Sequence, residues 1–121
     1  MQATDILRDF VIDEGASLLE AIAKISKNSV RTVLVTRDKK MIGVISEGDI
    51  MKALINGATV HTPLAQHINY SFKFLNKADD QEALSLVKTY GIALIPIVDK
   101  DFKLVDVIRM QDLLAKVSLT K

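Results

Sequence analysis

The stretch "GVISEGDI", Gly43–Ile50, joins what reads as the end of a strand to the beginning of a helix. Apolar residues lead up to Ser46, a pattern that favours a buried strand ending at that hydroxyl. Serine is a favoured helix N-cap and an acid three residues later completes a capping pattern, so Ser46 and Asp49 could simply cap a helix. The same hydroxyl and carboxylate could also hold the polar ends of a ligand, and this stretch alone leaves both interpretations open.

The residues before and after this stretch predict one β-α-β-β-α unit. A short strand is expected near residues 10–12, followed by the helix "GASLLEAIAKISKNS", in which Ser17 and Glu20 form a capping box. The runs "TVLVT" and "MIGVIS", separated by the charged turn "RDKK", predict a hairpin. The helix that follows is expected to end at Asn56-Gly57, a pair that favours a left-handed cap.

The second half of the chain repeats this order of elements. Strand, helix, strand, strand and helix are predicted over "SFKFL", "DDQEALSLVKTYG", "ALIPIV", "LVDVI" and "RMQDLLAKV". Asp79 stands sixty-two positions after Ser17, and from Val35, which is matched to Val98, the offset becomes sixty-three. Two copies of one unit therefore fill nearly the whole chain.

Two further patterns in the second half concern which side chains are buried. Alternating aromatic residues favour a strand with one buried face, and they are Tyr70, Phe72 and Phe74. The last helix is predicted to turn three apolar residues inward, namely Leu113, Leu114 and Val117.

The duplicated unit resembles cystathionine-β-synthase-type (CBS) domains, and the pair is similar to a Bateman module over roughly residues 4–118. The family's commonest signature is a glycine, alternating apolar residues, a threonine or serine, two variable residues and an aspartate. Gly43, Ser46 and Asp49 match it, and "VDVIRMQDLL" echoes it. The "PIVD" run, Pro96–Asp99, is a second family mark. The connector also resembles, more loosely, that of CBS pairs preceding sugar-phosphate nucleotidyltransferase domains.

The resemblance implies an α/β fold in which two β-α-β-β-α repeats pack with pseudo-twofold symmetry into one compact module. The first repeat is predicted over residues 4–60, the connector over 61–69 and the second repeat over 70–118. About sixty residues cannot readily cover both faces of a three-stranded sheet, so the copies are expected to share a core. A pseudo-twofold axis also predicts a cleft where equivalent strand ends face each other.

The function implied by the resemblance is regulatory binding of an adenosine nucleotide: AMP, ADP or ATP. In the family, the hydroxyl at the Ser46 position faces phosphate and the carboxylate at the Asp49 position accepts hydrogen bonds from ribose. Gly48 lets a ligand approach the backbone, and the helix N-terminus offers amides and partial positive charge to phosphate. The remaining site residues carried over by position are an adenine slot of Ile12, Val33 and Ile45, together with Pro96 of the second copy.

The second copy departs from the family pattern. Asp106 replaces the glycine and Arg109 replaces the hydroxyl residue, whereas Asp112 remains. Asp106, near the strand end, would repel a phosphate unless Arg109 neutralises it, so Arg109 could form an internal ion pair with Asp106 or could clamp phosphate, and the sequence leaves both interpretations open. The two sites are therefore expected to be unequal, with Arg109 and Asp112 the candidate residues of the second.

Composition argues against several other classes of protein. The 121 residues are 49% hydrophobic and 26% charged, as in a folded globular domain, and the net charge of +1 gives no basic face for nucleic acid. The absence of cysteine excludes cysteine-ligated metals, and His61 and His67 lack partners at metal-ligand spacing. No catalytic set, signal peptide or membrane span is recognisable, so we expect a cytoplasmic protein that is not an enzyme.

The sequence thus predicts a module that senses an adenine nucleotide and modulates an attached or partner protein, such as a sugar-phosphate nucleotidyltransferase or another effector domain. It is expected to form a homodimer, because dimerisation would cover apolar helix faces formed by Met51, Leu54, Leu113 and Leu114. The alternative is a dimerisation or structural CBS module with no bound nucleotide.

Overall fold

The computed structural model describes residues 7–119 of the 121, with side chains through residue 116. The chain divides into two compact units, Met1–Phe72 and Lys73–Lys121. The strands of the first unit are β1 (Val11–Asp13), β2 (Thr32–Arg37) and β3 (Lys40–Ser46), and its helices are α1 (Leu18–Asn28) and α2 (Glu47–Ile55). The second unit contains α3 (Asp80–Tyr90), β4 (Leu94–Val98), β5 (Leu104–Arg109) and α4 (Met110–Leu119).

The first unit is built on a three-stranded sheet in the order β1-β2-β3, with β1 parallel and β3 antiparallel to β2. The predicted capping box of α1 is confirmed: Ser17 Oγ accepts a hydrogen bond from the Glu20 N–H (3.3 Å), and a Glu20 carboxylate oxygen accepts one from the Ser17 N–H (3.0 Å). The first strand begins one residue later than predicted, because a 3₁₀ turn, Arg8–Phe10, precedes it. The predicted hairpin and the helix after it are also present.

The connector contributes to the first unit by bonding to the beginning of α1. The Leu18 and Leu19 N–H groups donate to the carbonyl oxygens of Thr62 (2.9 Å) and Val60 (2.8 Å). The Glu20 N–H donates to the Ser17 hydroxyl, so the first three amides of α1 all have acceptors. This helix N-terminus therefore has little capacity left for a ligand.

Gly43 lies where the connector runs along the edge of β3. Val44 and Asn69 exchange two backbone hydrogen bonds, of 2.9 and 2.8 Å. A Cβ on residue 43 would come within 2.7 Å of the Asn69 carbonyl oxygen and would overlap the Ile68 side chain. Glycine is therefore required here by the close approach of a second backbone, a role separate from any ligand.

The core of the first unit lies between the sheet and its two helices. Large side chains of the sheet and the helices are fully buried. The 3₁₀ turn of the connector, Leu64–His67, contributes a further fully buried side chain, that of Leu64. The buried cluster is formed by Ile12, Leu18, Ala21, Val33, Val35, Ile45, Ile50, Ala53, Leu64 and Ile68.

The second unit pairs β4 with β5 and has a buried cluster that includes Leu75, Ala83, Ile95, Ile97 and Leu113. Asp79 caps α3 as predicted, since its carboxylate accepts from the Gln81 and Glu82 N–H groups (3.1 and 3.2 Å). The prediction for the last helix is partly wrong, because Leu113 is buried whereas Leu114 is exposed. Val117 lies outside the described side chains.

The prediction of a strand over "SFKFL" is wrong. Leu75 alone makes a parallel bridge to Ile97 of β4, and both Tyr70 and Phe74 are exposed. Two backbone hydrogen bonds make this bridge, from the Leu75 N–H to the Pro96 carbonyl oxygen (3.0 Å) and from the Val98 N–H to the Leu75 carbonyl oxygen (2.9 Å). Side-chain contacts add to it. The Phe74 ring packs edge-on against the Phe102 ring, with centroids 4.8 Å apart. The Lys73 ammonium group lies over the Tyr90 ring of α3, 4.4 Å from its centroid.

The two hairpins have the same register, which supports the predicted duplication. In each hairpin, four consecutive residues of the first strand pair with four consecutive residues of the second before the register shifts once. The shift follows Val35 in the first hairpin and Ile97 in the second. Val35 therefore corresponds to Ile97, and the match to Val98 is wrong. The extra residue of the second copy lies in its hairpin turn, where Phe102 adopts a left-handed conformation (φ 65°).

Gly43→Ala is expected to lower the free energy of unfolding by about 1–3 kcal/mol, the usual range for overpacking, because the new methyl group displaces the connector from β3. Gly48→Ala is the matched control. A Cβ there would meet nothing closer than the Ser46 hydroxyl at 3.7 Å, so this helical substitution should be neutral or stabilising by up to about 1 kcal/mol. Urea unfolding measures both, and equal stability of the two variants would contradict the close approach at Gly43.

Candidate functional site

The candidate site is the junction at which β3 ends and α2 begins. Ser46 Oγ accepts a hydrogen bond from the Asp49 N–H (3.1 Å), and Asp49 Oδ2 accepts one from the Ser46 N–H (2.9 Å). This is a complete, reciprocal capping box, so the capping interpretation of these residues is confirmed.

Capping uses only part of the hydrogen-bonding capacity of the two side chains. A hydroxyl has a donor as well as acceptor sites, and a carboxylate has two oxygens. Within residues 7–119, the Ser46 hydroxyl donates to no group and Asp49 Oδ1 accepts no hydrogen bond. Both side chains are half-buried. The helix cap and a ligand therefore do not compete for the same atoms.

One amide at the beginning of α2 is open. The Glu47 N–H donates to the Arg31 carbonyl oxygen (2.9 Å), and the Asp49 N–H is taken by Ser46. Between them, Gly48 is exposed, and its N–H has no acceptor among the residues that the structure describes. An open amide at the positive end of a helix dipole is suited to an anion.

Arg31 is a residue of this junction that the sequence did not reveal. Its backbone bonds to the first amide of α2, it has a left-handed conformation (φ 64°), and its side chain is exposed. In the described part of the chain its guanidinium group has no hydrogen bond or ion pair. It lies in the short link between α1 and β2 and matches no motif, so only the backbone bond to Glu47 identifies it.

The predicted adenine slot falls on core residues. Ile12, Val33 and Ile45 belong to one buried cluster of the first unit. Ile12 also borders an open cleft of about 780 Å³ beside β1, whose other lining residues include Arg8, Asp13 and Lys24. Contact of the three slot residues with a ligand stays a prediction.

The corresponding junction of the second unit has the same backbone bond, from the Met110 N–H to the Ala93 carbonyl oxygen (2.9 Å). Here Arg109 forms two hydrogen bonds to the Asp112 carboxylate, of 3.0 and 2.9 Å. The structure thus has an internal ion pair, but the predicted partner is wrong, because Arg109 pairs with Asp112 and not with Asp106. Asp106 accepts from the Val107 N–H instead (2.8 Å).

The ion pair occupies the groups that were predicted for the second site. Both Asp112 oxygens are bonded, and the side chains of Arg109 and Asp112 are 36% and 51% exposed. An ion pair this exposed contributes at most about 1 kcal/mol to stability, so it could open, but a ligand would have to compete with it. Pro96, the other candidate, is fully buried in β4 and stays a prediction.

Neither a metal-ligand cluster nor a membrane-spanning helix occurs among the residues that the structure describes. Between residues 7 and 119, no three histidine, cysteine or acidic side chains gather as metal ligands would. None of the helices described is both long and apolar enough to cross a lipid bilayer.

A model of the CBS domain family matches residues 3–56 and 79–119, which together make up most of the chain. The chain belongs to the CBS domain family. The predicted resemblance and the predicted α/β class are therefore confirmed, and the two matched segments correspond to the two copies read from the sequence.

Solved CBS structures share this fold. A CBS domain protein from Pyrobaculum aerophilum complexed with AMP is similar with a TM-score of 0.72 and 22% identity, over 90% of each chain. The cytosolic domain of the Mg²⁺ channel MgtE in complex with ATP is similar with a TM-score of 0.71 and 20% identity, over 88% of this chain and 44% of that one. At these identities the similarity shows the fold alone.

Among curated proteins, arabinose 5-phosphate isomerase GutQ of Escherichia coli O6:H1 is 26% identical over 99 residues, which are 80% of this chain and 31% of the isomerase. The chain spans about a third of the length of the curated relatives it matches.

Proposed function

We propose that this CBS pair binds an adenine nucleotide of the AMP, ADP and ATP class at the Ser46–Asp49 junction and so regulates an attached or partner protein. One observation carries the proposal. Among the residues that the structure describes, the capping box leaves a hydroxyl donor, a carboxylate oxygen and the Gly48 amide open, and the backbone of Arg31, whose guanidinium group has no partner there, bonds to the first amide of the same helix. These are the groups that a nucleoside phosphate requires.

Phosphate is assigned to the positive side of this junction. The Gly48 N–H, the Ser46 hydroxyl and the guanidinium group of Arg31 are all donors, and hydrogen bonds to a charged group are the stronger kind. Glu47 places an exposed carboxylate in the same helix turn, and the Arg31 charge offsets its repulsion of phosphate. Asp49 Oδ1 is assigned to the ribose, because a carboxylate can accept from paired hydroxyls.

The other predicted residues complete the proposal. Adenine is assigned to the surface around Ile12, Val33 and Ile45, where the cleft beside β1 borders Ile12. A second site at Arg109, Asp112 and Pro96 would bind more weakly, because Arg109 must first release Asp112. The bound AMP and ATP of the two similar CBS structures support the choice of ligand class.

Regulation requires that the ligand bind one arrangement of the protein more tightly than another. The sequence predicts an attached or partner effector such as a sugar-phosphate nucleotidyltransferase or another effector domain. The curated relative GutQ is by name an isomerase of a sugar phosphate. We therefore propose an effector enzyme that acts on a sugar phosphate, with the CBS pair itself non-catalytic. The cytoplasmic location stays a prediction.

Binding is tested by calorimetric titration and thermal unfolding with AMP, ADP, ATP and S-adenosylmethionine. At about 100 times its dissociation constant, the correct ligand should stabilise the protein by about 2.7 kcal/mol. Asp49→Asn keeps an oxygen that can cap α2 but replaces the open acceptor by an amide donor. It should weaken nucleotide binding about tenfold or more with little loss of stability.

Asp112→Asn is the matched control, and it should affect affinity less because Asp112 is already occupied by Arg109. If no nucleotide at millimolar concentration changes the melting temperature, the alternative of a structural CBS module without a nucleotide replaces this proposal. Equal affinities of wild type and Asp49→Asn would remove Asp49 from the site.

We also propose that the chain forms a homodimer through the apolar groove between α1 and α2. The groove has a volume of about 300 Å³ and is lined mainly by Ile22, Ile25, Ile50, Met51 and Leu54. Met51 is 56% exposed, and Ile55 beside the groove is exposed as well. A second copy presents the same apolar surface, so a twofold contact would cover both grooves at once.

Light scattering after gel filtration tests this surface. The wild type should have twice the mass of the monomer, and Met51→Lys should shift it toward the monomer because a charge would be buried in the contact. Val105→Lys is the control, since Val105 is exposed to a similar extent (47%) on β5 and should leave the dimer intact. A monomeric wild type across the micromolar range would contradict the proposed dimer.

A further inference from the structure

Asn28, the last residue of α1, is a buried hydrogen-bonding centre in the first unit. Its side-chain amide donates to the carbonyl oxygens of Asp9 (2.8 Å) and Thr32 (2.9 Å), and Oδ1 accepts from the Val30 N–H (2.9 Å). The residue is only 6% exposed, so all of these groups would be costly to leave unpaired. Asn28 thereby joins the end of α1 to the beginnings of β1 and β2.

The turn held by Asn28 has an unfavourable backbone conformation. Ser29 (φ 62°) and Arg31 (φ 64°) are both left-handed although neither is glycine, and Val30 between them is buried. Left-handed residues other than glycine are disfavoured by contact between Cβ and the backbone. Such a conformation persists only when its surroundings impose it, and the three bonds of Asn28 do so here.

The second unit shows that the fold does not need this arrangement. Its equivalent positions are Tyr90, which is exposed, and Gly91, which takes the left-handed conformation (φ 67°) without strain. Ala93, the equivalent of Arg31, is not among the described residues with positive φ, yet its carbonyl accepts the same bond from the first amide of the helix. The strained turn is therefore specific to the copy that has Arg31.

We infer that Asn28 is a positioning residue for the nucleotide site, which it serves by holding Arg31 in the left-handed conformation. That conformation sets the direction in which the Arg31 side chain leaves the backbone at the beginning of α2. The part of the inference that concerns the ligand rests on the proposed function. Asparagine suits the position because an aspartate would set a carboxylate oxygen against two carbonyl oxygens, and alanine would leave three polar groups unpaired.

The experiment compares AMP with adenosine, which lacks the phosphate, in titrations of wild type, Asn28→Ala, Arg31→Ala and the double variant. Asn28→Ala should reduce the ratio of AMP affinity to adenosine affinity about tenfold, toward the value for Arg31→Ala. The double variant should show no further loss, because both changes remove the same contact.

Ser17→Ala is the matched control, since it removes the cap at the other end of α1 and should leave the affinity ratio unchanged. If Ser17→Ala lowers the ratio as much, or if Asn28→Ala leaves it unchanged, the inference is overturned. Should Asn28→Ala not fold, Asn28→Ser replaces it, because a neutral hydroxyl can still bond one of the three backbone groups while at least one of the two donors is lost.

A second measurement separates this inference from the proposed function. Backbone couplings and chemical shifts of residue 31 report the sign of its φ angle without any ligand. Positive φ should be lost in the Asn28 variant and kept in Ser17→Ala, and a positive φ that survives in the Asn28 variant overturns the inference. A wild type that binds neither AMP nor adenosine would refute the proposed function, while the φ measurement would still decide what Asn28 does.

Discussion

The first amide of each helix that follows a hairpin donates a hydrogen bond to the residue just before the first strand of that hairpin. The bond runs from Glu47 to Arg31 in the first unit and from Met110 to Ala93 in the second, at 2.9 Å in both. Together with the identical hairpin registers, this bond joins strand, turn and helix into one hydrogen-bonded corner in each unit. The position of every candidate site residue at the end of β3 or β5 depends on this corner.

The two corners have the same backbone but different chemistry. In the first, Ser46 and Asp49 cap the helix through one hydrogen bond each way, and the residue whose carbonyl bonds to that helix is Arg31, whose side chain has no partner within residues 7–119. In the second, the cation is Arg109, the last residue of β5, and it forms an ion pair with Asp112. A duplication with one shared backbone has thus produced one corner with open polar groups and one whose groups satisfy each other.

Most of the fold could be predicted from the sequence because local patterns determine it. Capping residues, the β-branched runs and the charged turn act within a few residues of one another, so α1, α3 and both hairpins follow directly. The predicted strand over "SFKFL" is reduced to the single bridge of Leu75 to β4, and the contacts of its side chains with the second hairpin turn and α3 cannot be read from a local pattern. Val35 was matched wrongly because valine stands at both Val35 and Val98, and the extra turn residue becomes visible only in the strand pairing.

Of the candidate site, the sequence predicted the two motif residues, Ser46 and Asp49, but not all of the residues around them. The spacing of Ser46 and Asp49 indicated both a cap and a ligand, and the structure shows that one pair of side chains has atoms for both. Arg31 and Asn28 could not be found in this way, since their roles depend on bonds to residues 16 and 19 positions away. For the adenine slot, the sequence named residues that the structure places in the core: Ile12, Val33 and Ile45 were chosen by their position in the family pattern, and all three belong to one buried cluster.

The claim that the first corner holds the phosphate is tested most directly by an amide-resolved NMR titration with AMP. The account predicts a saturable shift of the Gly48 amide resonance, with a smaller shift or none at Gln111, the equivalent residue of the second corner. A Gly48 resonance that does not move, or equal shifts at Gly48 and Gln111, would contradict it.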